Sequence, residues 1–314
     1  MSAGPSFSAI VKDELLRTEV RHEDCRHAEC AALLQASGSL VLSGRQWHLR
    51  LTTELPALAR RVYSYLKKNV QAPIELIVNR GSSVTARPSI AVDLSGQEEA
   101  LDLMTRLGIF KNGQPLRTTP AFIRRSCCRR AYLRGMFLAC GTIVQPEKAY
   151  HIEWVFKQSE LAQSVQVFLL TMDISASLVE RNKRFVVYTK DAESVSTVLA
   201  GMGAHNAVFA LENTRIVRQM KNDVNRAVNC ETANVTRAVD TAMRQIACLR
   251  FLRDNGILEQ LDSALRDAAE ARLNNPEANL SELAAEMEPP VAKSTMHRRL
   301  TKLENLAAES GFAG

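Results

Sequence analysis

The chain has 314 residues, of which 46% are hydrophobic, 24% charged and 5% aromatic; this balance excludes disordered and collagen-like classes, and the length suits two or three domains better than one. Forty Lys and Arg against 34 Asp and Glu leave a formal charge of +6, mild as a total but informative wherever it concentrates. No apolar run approaches the roughly 18 to 20 residues of a membrane-spanning helix, and the start carries no leader pattern. Seven cysteines are too sparse and odd for a disulfide scaffold, so a cytosolic protein with mostly buried thiols is expected.

The first two thirds hold an internal repeat. Cys30-Ala-Ala-Leu-Leu-Gln-Ala-Ser-Gly38-Ser-Leu-Val41 returns as Leu133-Arg-Gly-Met-Phe-Leu-Ala-Cys-Gly141-Thr-Ile-Val144 at one constant offset, and in the same register Cys25 meets Cys128 and Ala28 meets Ala131. After Gly38 the pattern predicts a strand over Gln46 to Thr53, a helix over Pro56 to Lys68, strands over Ile74 to Val78 and Ser89 to Leu94, and a helix over Glu98 to Leu107. After Gly141 it predicts a strand over Tyr150 to Phe156, a helix over Ser159 to Met172, strands over Ala176 to Val179 and Phe185 to Tyr188, and a helix over Ala192 to Met202. Each copy reads helix, strand pair, helix, strand pair, helix, which makes an α+β domain with a pseudo-twofold axis.

Small residues four apart, Ala32 with Ala36 and Gly135 with Ala139, share one helix face and let the two repeated helices approach closely. The glycines that end them, Gly38 and Gly141, are expected to take the left-handed conformation that stops a helix. These residues resemble the LAGLIDADG homing endonuclease fold, whose motif places two such helices at the interface between half-domains. In that family an acid just before the terminal glycine holds a catalytic metal. The matching positions here are Ser37 and Cys140, and the other motif acid is replaced by Gln35 and Leu138. A hydroxyl and a thiol are poor partners for Mg²⁺, so no catalytic residue, metal or cofactor is expected.

The C-terminal third differs in character. Between Arg215 and Arg253 eight basic residues face three acidic ones, and Asn222, Asn225, Asn229 and Asn234 interleave with apolar positions. Two readings stay open for this stretch: a polar linker with capping asparagines, or a second DNA contact through Lys221, Asn225, Arg226, Asn229, Asn234 and Arg237. Farther on, Asn279 and Glu282 outline a capping box. Pro289 and Pro290 are expected to end that helix, and another begins near Ser294. Its apolar face is Met296, Leu300, Leu303 and Ala307. The opposite face offers Ser294, His297, Arg298 and Thr301, with Arg299 and Lys302 flanking and Lys293 and Thr295 adjoining. That is the pattern of a helix-turn-helix whose second helix enters the major groove.

From Phe7-Ser-Ala-Ile-Val-Lys-Asp-Glu-Leu15, through Leu133-Arg-Gly-Met-Phe-Leu-Ala139 and Arg215-Ile-Val-Arg-Gln-Met-Lys-Asn-Asp-Val-Asn-Arg-Ala-Val-Asn-Cys-Glu-Thr-Ala-Asn234, to Lys293-Ser-Thr-Met-His-Arg-Arg-Leu300, nearly the whole chain resembles the WhiA family of sporulation and cell-division regulators. The resemblance implies a pseudo-twofold LAGLIDADG-like domain followed by an all-α helix-turn-helix domain, with halves at 1–119 and 120–216 and a helical linker plus DNA-binding domain at 217–314. It also implies a non-enzymatic, nucleoid-associated transcriptional regulator of Gram-positive bacteria whose partner is double-stranded DNA. In the actinobacterial branch it adds RNA polymerase and a WhiB-like iron–sulfur protein, although no residue here selects that branch. The competing readings are a working endonuclease and a protein-binding scaffold. An internally repeated domain needs no second copy to complete it, so a monomer is expected.

Cys25, Cys30, His22, His27, Cys127 and Cys128 fit none of the strong zinc spacings, and adjacent cysteines on a helix point about 100° apart. Ordinary thiols are therefore expected there. Arg124, Arg125, Arg129, Arg130 and Arg134 form a run without an intervening acid, readable as a solvated face or as a further contact with DNA or a protein. His48 and His151 lie in strand-like runs and read as ordinary strand residues.

Overall fold

The computed structural model describes residues 4–43, 46–80 and 88–312. The chain divides into two compact units, Met1–Val217 and Arg218–Gly314.

In the first unit, helix α1 (Phe7–Arg17) precedes two halves of the same plan. One half contains α2 (Glu23–Ser37), β1 (Gly38–Ser43), β2 (Gln46–Thr53), α3 (Pro56–Asn69), β3 (Ile74–Asn79), β4 (Ser89–Ser95) and α4 (Gln97–Arg106). A short hairpin, β5 (Phe110–Lys111) and β6 (Gln114–Pro115), leads to the other half. That half contains α5 (Ser126–Cys140), β7 (Gly141–Ile143), β8 (Ile152–Phe156), α6 (Ser159–Leu170), β9 (Ser177–Arg181), β10 (Arg184–Thr189) and α7 (Ala192–Met202). Both main sheets are antiparallel and four-stranded, ordered β1-β2-β4-β3 and β7-β8-β10-β9. The identical order is the pseudo-twofold expected from the repeat.

Strand periodicity turns alternate residues toward the helices: Ile152, Trp154 and Phe156 of β8 are buried, as are Leu49 and Leu51 of β2. Helical periodicity supplies the opposing layer, with Leu58, Val62 and Leu66 of α3 and Val195, Val198, Leu199 and Met202 of α7 buried. At the centre α2 packs on α5. Gly135 permits this approach, because a Cβ there would stand 2.5 Å from the Glu29 carbonyl oxygen and 2.8 Å from the Ala32 Cβ. Ala32 and Gly135, equivalent in the repeat, thus meet across the axis.

The expected left-handed glycines are corrected by the structure. Gly38 and Gly141 are both extended, with φ of −71° and −83°. Glycine is needed there for space, since a Cβ at Gly38 would lie 2.5 Å from the Leu34 carbonyl oxygen and one at Gly141 would run into Phe137. The chain passes directly from helix to strand without a turn residue between.

Helix α1 is fastened to the second half. Ser8 Oγ donates to the Ile143 carbonyl at 3.0 Å and accepts from its N–H at 2.7 Å. The Glu14 carboxylate accepts from the N–H groups of Asn206 and Ala207 at the start of α8 (His205–Asp254). A carboxylate from a distant helix here caps exposed amide donors and complements the helix dipole.

The second unit comprises the later turns of α8, then α9 (Ser263–Asn274), α10 (Leu280–Ala285) and α11 (Lys293–Glu309). Its core gathers Leu249, Leu252, Leu265, Leu283, Met287, Met296, Leu300 and Leu303. Buried Arg272 is satisfied by Gln245 Oε1 at 3.2 Å and the Ala278 carbonyl at 2.6 Å. The capping box at Asn279 and Glu282 is formed as its spacing suggests. Helix α10 nevertheless stops at Ala285, ahead of the prolines, so they follow the helix end and do not make it.

Candidate nucleic-acid interface

In a LAGLIDADG-like domain the feet of α2 and α5 are where metal-binding acids would stand. Ser37 Oγ instead donates to the Leu33 carbonyl at 2.8 Å, and Cys140 Sγ turns back to the Met136 carbonyl at 3.4 Å. Burial pushes the Cys140 thiol up to about 12, which keeps it neutral. Gln35 is buried as a structural hub: it accepts from the Tyr132 hydroxyl at 2.8 Å and donates to the carbonyls of Leu116 and Thr118. Leu138 is core. Lys12 of α1 stands 5.7 Å from the Phe137 ring centroid, and Cys140 and Glu54 act on its charge. Burial lowers its pKa. A fixed ammonium beside a neutral thiol disfavours a divalent cation there.

The amphipathic split of α11 follows its 3.6-residue period. Met296, Leu300, Leu303 and Ala307 are buried, whereas Lys293, Ser294, His297, Arg298 and Lys302 are exposed; Thr295, Arg299 and Thr301 are half-buried on its flanks. Arg298 therefore stands on the outward ridge and Arg299 on the shoulder. Among the described residues none forms an ion pair with Arg298, Arg299, Lys293 or Lys302. Thr301 Oγ1 donates to the His297 carbonyl at 2.9 Å, which leaves its oxygen able to accept from a base amino group.

The basic, asparagine-rich stretch is neither a linker of irregular backbone nor a set of caps. It lies within the continuous helix α8, with Lys221, Asn225, Arg226, Asn229, Asn234 and Arg237 all exposed. At about 100° per residue, Lys221, Asn225 and Asn229 form one ridge, while Arg226, Asn234 and Arg237 turn toward another side. The helix does not bring the six onto one face.

The arginine run before the second motif is divided as well. Arg134 is buried, its Nε 2.7 Å from Glu29 Oε2 and its guanidinium donating to the Met202 carbonyl. Arg61 holds the other Glu29 oxygen at 2.8 Å. Arg125 pairs with Asp24 at 3.2 Å, and Arg129 donates to the Thr171 carbonyl. Arg134 is thus excluded as a nucleic-acid contact, and the run with no acid beside it in sequence meets its acids from α2 in space. His48 shares Asp93 with Arg50 across the β2–β4 ladder, at 2.8 and 2.7 Å. Burial raises the Asp93 carboxyl, but the hydrogen bonds from Arg50 and His48 outweigh it and hold the group below the usual range.

Three of the seven cysteines meet where sequence spacing argued against it. The sulfurs of Cys25, Cys127 and Cys128 lie within 4.8 Å of one another. Burial and the neighbouring thiols push Cys25 up to about 12, while the hydrogen bond from Cys25 holds the half-exposed Cys127 below the ordinary thiol range. Cys30 stays apart in the core. The overlooked signal was the repeat itself, since Cys25 and Cys128 are equivalent positions and equivalent positions near a twofold axis face each other.

An internally duplicated LAGLIDADG-like domain without the motif carboxylates, followed along the chain by an α-helical unit with a basic amphipathic helix, is the two-part class of protein that the fold defines. Three family models match in succession: the WhiA N-terminal LAGLIDADG-like domain over residues 23–110, the WhiA LAGLIDADG-like domain over 129–221, and the WhiA C-terminal HTH domain over 224–307. The chain belongs to the WhiA family. It is 36% identical over 308 residues to the probable cell division protein WhiA of Alkaliphilus metalliredigens, covering 96% of this chain and 97% of that one. It is 37% identical over 305 residues to the protein of the same name from Heliobacterium modesticaldum, covering 96% of each. The crystal structure of full-length DUF199/WhiA from Thermatoga maritima shares the fold, with a TM-score of 0.59 at 23% identity over 98% of this chain and 100% of that one. Among the described residues no helix is long and apolar enough to cross a membrane.

Proposed function

We propose that this protein is a sequence-specific, DNA-binding transcriptional regulator of cell division and sporulation that reads the major groove with α11 and has no nuclease activity. The observation that carries the reading is the split of that helix, with Met296, Leu300, Leu303 and Ala307 sealed into the core while Ser294, His297, Arg298 and Lys302 are left to solvent. Arg298, on the outward ridge, can present its planar fork to guanine O6 and N7. Lys293, Arg299 and Lys302 flank it as phosphate contacts, and Ser294, Thr295, His297 and Thr301 supply shorter hydrogen bonds to bases or backbone. The ridge Lys221, Asn225 and Asn229 is a second, weaker contact, with Arg226, Asn234 and Arg237 on the adjoining side of the same helix. In this reading the halves at 1–119 and 120–216 form the scaffold, and 217–314 forms the linker and reading head. The protein works at the nucleoid in the cytoplasm, with RNA polymerase and a WhiB-like protein as further partners in an actinobacterial host.

The test begins with the full-length protein, a genomic fragment library and sequencing of the retained DNA. On the retrieved site, Arg298→Ala is expected to cost about 1 to 3 kcal/mol and to relax discrimination at one base pair. Lys302→Ala should weaken all sequences alike and lower the salt slope by roughly one phosphate contact. Specific binding that survives Arg298→Ala with Arg299→Ala in a folded protein would move the reading head elsewhere, to Lys221 through Arg237 first. The absence of chemistry is tested separately: Mg²⁺-dependent nicking that persists in Ser37→Ala with Cys140→Ala would reveal an active centre in another place.

A further inference from the structure

We propose that Cys25, Cys127 and Cys128 form a three-thiolate site for a thiophilic divalent cation, Zn²⁺, at the N-terminal mouth of the α2–α5 helix pair. The site lies at the opposite end of these helices from Ser37 and Cys140, so it is not a remnant of a nuclease centre. It is also independent of how α11 meets DNA.

Ligand set and geometry agree. Thiolates prefer Zn²⁺ to the hard cations that carboxylates would hold. A tetrahedral ion with Zn–S bonds of about 2.3 Å keeps its sulfurs about 3.8 Å apart. The three sulfurs already lie within 4.8 Å of one another, so small rotations at Cβ close the remaining gap. The vicinal pair stands about one helical step apart along α5, yet the third sulfur, arriving from a different helix, lies within reach of both.

The surroundings suit the charged complex. All three cysteines occupy the first turn of a helix, Cys25 in α2 and the pair in α5, where unsatisfied amide groups favour negative charge. Three thiolates around one divalent ion retain about one negative charge; Glu19, Arg21 and Arg130 line the cleft beside them, and because Arg21 pairs with Glu19 at 3.5 Å, Arg130 is the cation that complements the complex. That cleft, of about 280 Å³, is lined by Cys25, half-exposed Cys127 and His22. It provides an entry path and leaves the fourth coordination position open to water. Binding releases the thiol protons to solvent and ties together the two half-domains.

The experiment uses reduced, full-length protein stripped of metal and titrated with Co²⁺ and then Zn²⁺. The expected result is thiolate-to-cobalt charge-transfer absorption saturating at one equivalent and displaced by zinc. Cys25→Ser, and Cys127→Ser with Cys128→Ser, should lose that absorption, and Cys230→Ser, on the exposed part of α8, should keep it. Because buried serines could unfold the variants, the unmodified protein is also alkylated with and without zinc and mapped by peptide mass spectrometry. Zinc should protect half-exposed Cys127, the member of the trio open to the reagent in the folded chain, while exposed Cys230 reacts in both samples. Any of three results overturns the proposal: no charge-transfer band in the folded, reduced chain; a band indifferent to Cys25→Ser; or alkylation of Cys127 that zinc leaves unchanged. A Cys25–Cys127 disulfide formed in air, with no metal signal after reduction, would overturn it in favour of a redox role.

Discussion

Replacing Glu29 by alanine tests the interface between the two halves. Its carboxylate sits between Arg61 of α3 and Arg134 of α5, at 2.8 and 2.7 Å, with side-chain exposures of 4% for Glu29, 23% for Arg61 and 9% for Arg134. After Glu29→Ala, Arg61 keeps the carbonyls of Leu16 and Thr18, and Arg134 keeps that of Met202. These oxygens satisfy hydrogen bonds but do not neutralise two guanidinium charges in a largely dry volume. Removing one partner of a buried ionic network costs about 3 to 5 kcal/mol, which in a domain near 200 residues lowers Tm by roughly 6 to 20 °C. Both tryptophans, Trp47 and Trp154, lie in the first unit, so denaturant unfolding followed by their fluorescence reports this unit alone. Arg125→Ala is the comparison. Its pair with Asp24 has exposures of 76% and 62%, and its loss should cost no more than about 1 kcal/mol. If Glu29→Ala costs as little as Arg125→Ala, the network is solvated and does not hold the halves together.

Gly135→Ala should destabilise the first unit by about 1 to 3 kcal/mol through overpacking, because its Cβ has no room beside the Glu29 backbone. Gly201→Ala, whose nearest neighbours stand at 3.7 and 3.8 Å, should be neutral or slightly stabilising in the same fluorescence assay. Leu300→Ala, at 1% exposure in the core of the second unit, should cost about 2 to 5 kcal/mol and be seen as an earlier loss of helical circular dichroism without a change in tryptophan fluorescence. Asp93 is held below its ordinary range in the folded state, so its contribution is complete above the unfolded carboxylate value of about 3.9 and is lost as pH falls through the folded value. Unfolding titrations from pH 6 down to about 3 should therefore show a steeper loss for the natural protein than for Asp93→Asn, and equal slopes would assign the acid sensitivity to other groups.

The amino-acid sequence by itself determined the elements and their duplication. Binary patterning set the strands and helices, the repeat register through Gly38 and Gly141 set two halves of one plan, and the apolar spacing of Met296, Leu300, Leu303 and Ala307 set which side of α11 is buried. These are local properties, written in periods of two and 3.6 residues. The LAGLIDADG-like and helix-turn-helix resemblances rested on the same local motifs, and the family comparisons bear them out. What depends on the path of distant segments was decided only by tertiary structure. Gly38 and Gly141 are needed for close approach and not for a left-handed turn. Arg134 belongs to a buried network because α2 brings Glu29 to it across 105 residues of chain. The same crossing carries Cys25 to Cys127 and Cys128. Spacing along the chain cannot reveal that meeting, since the axis that creates it exists only once the two halves have packed.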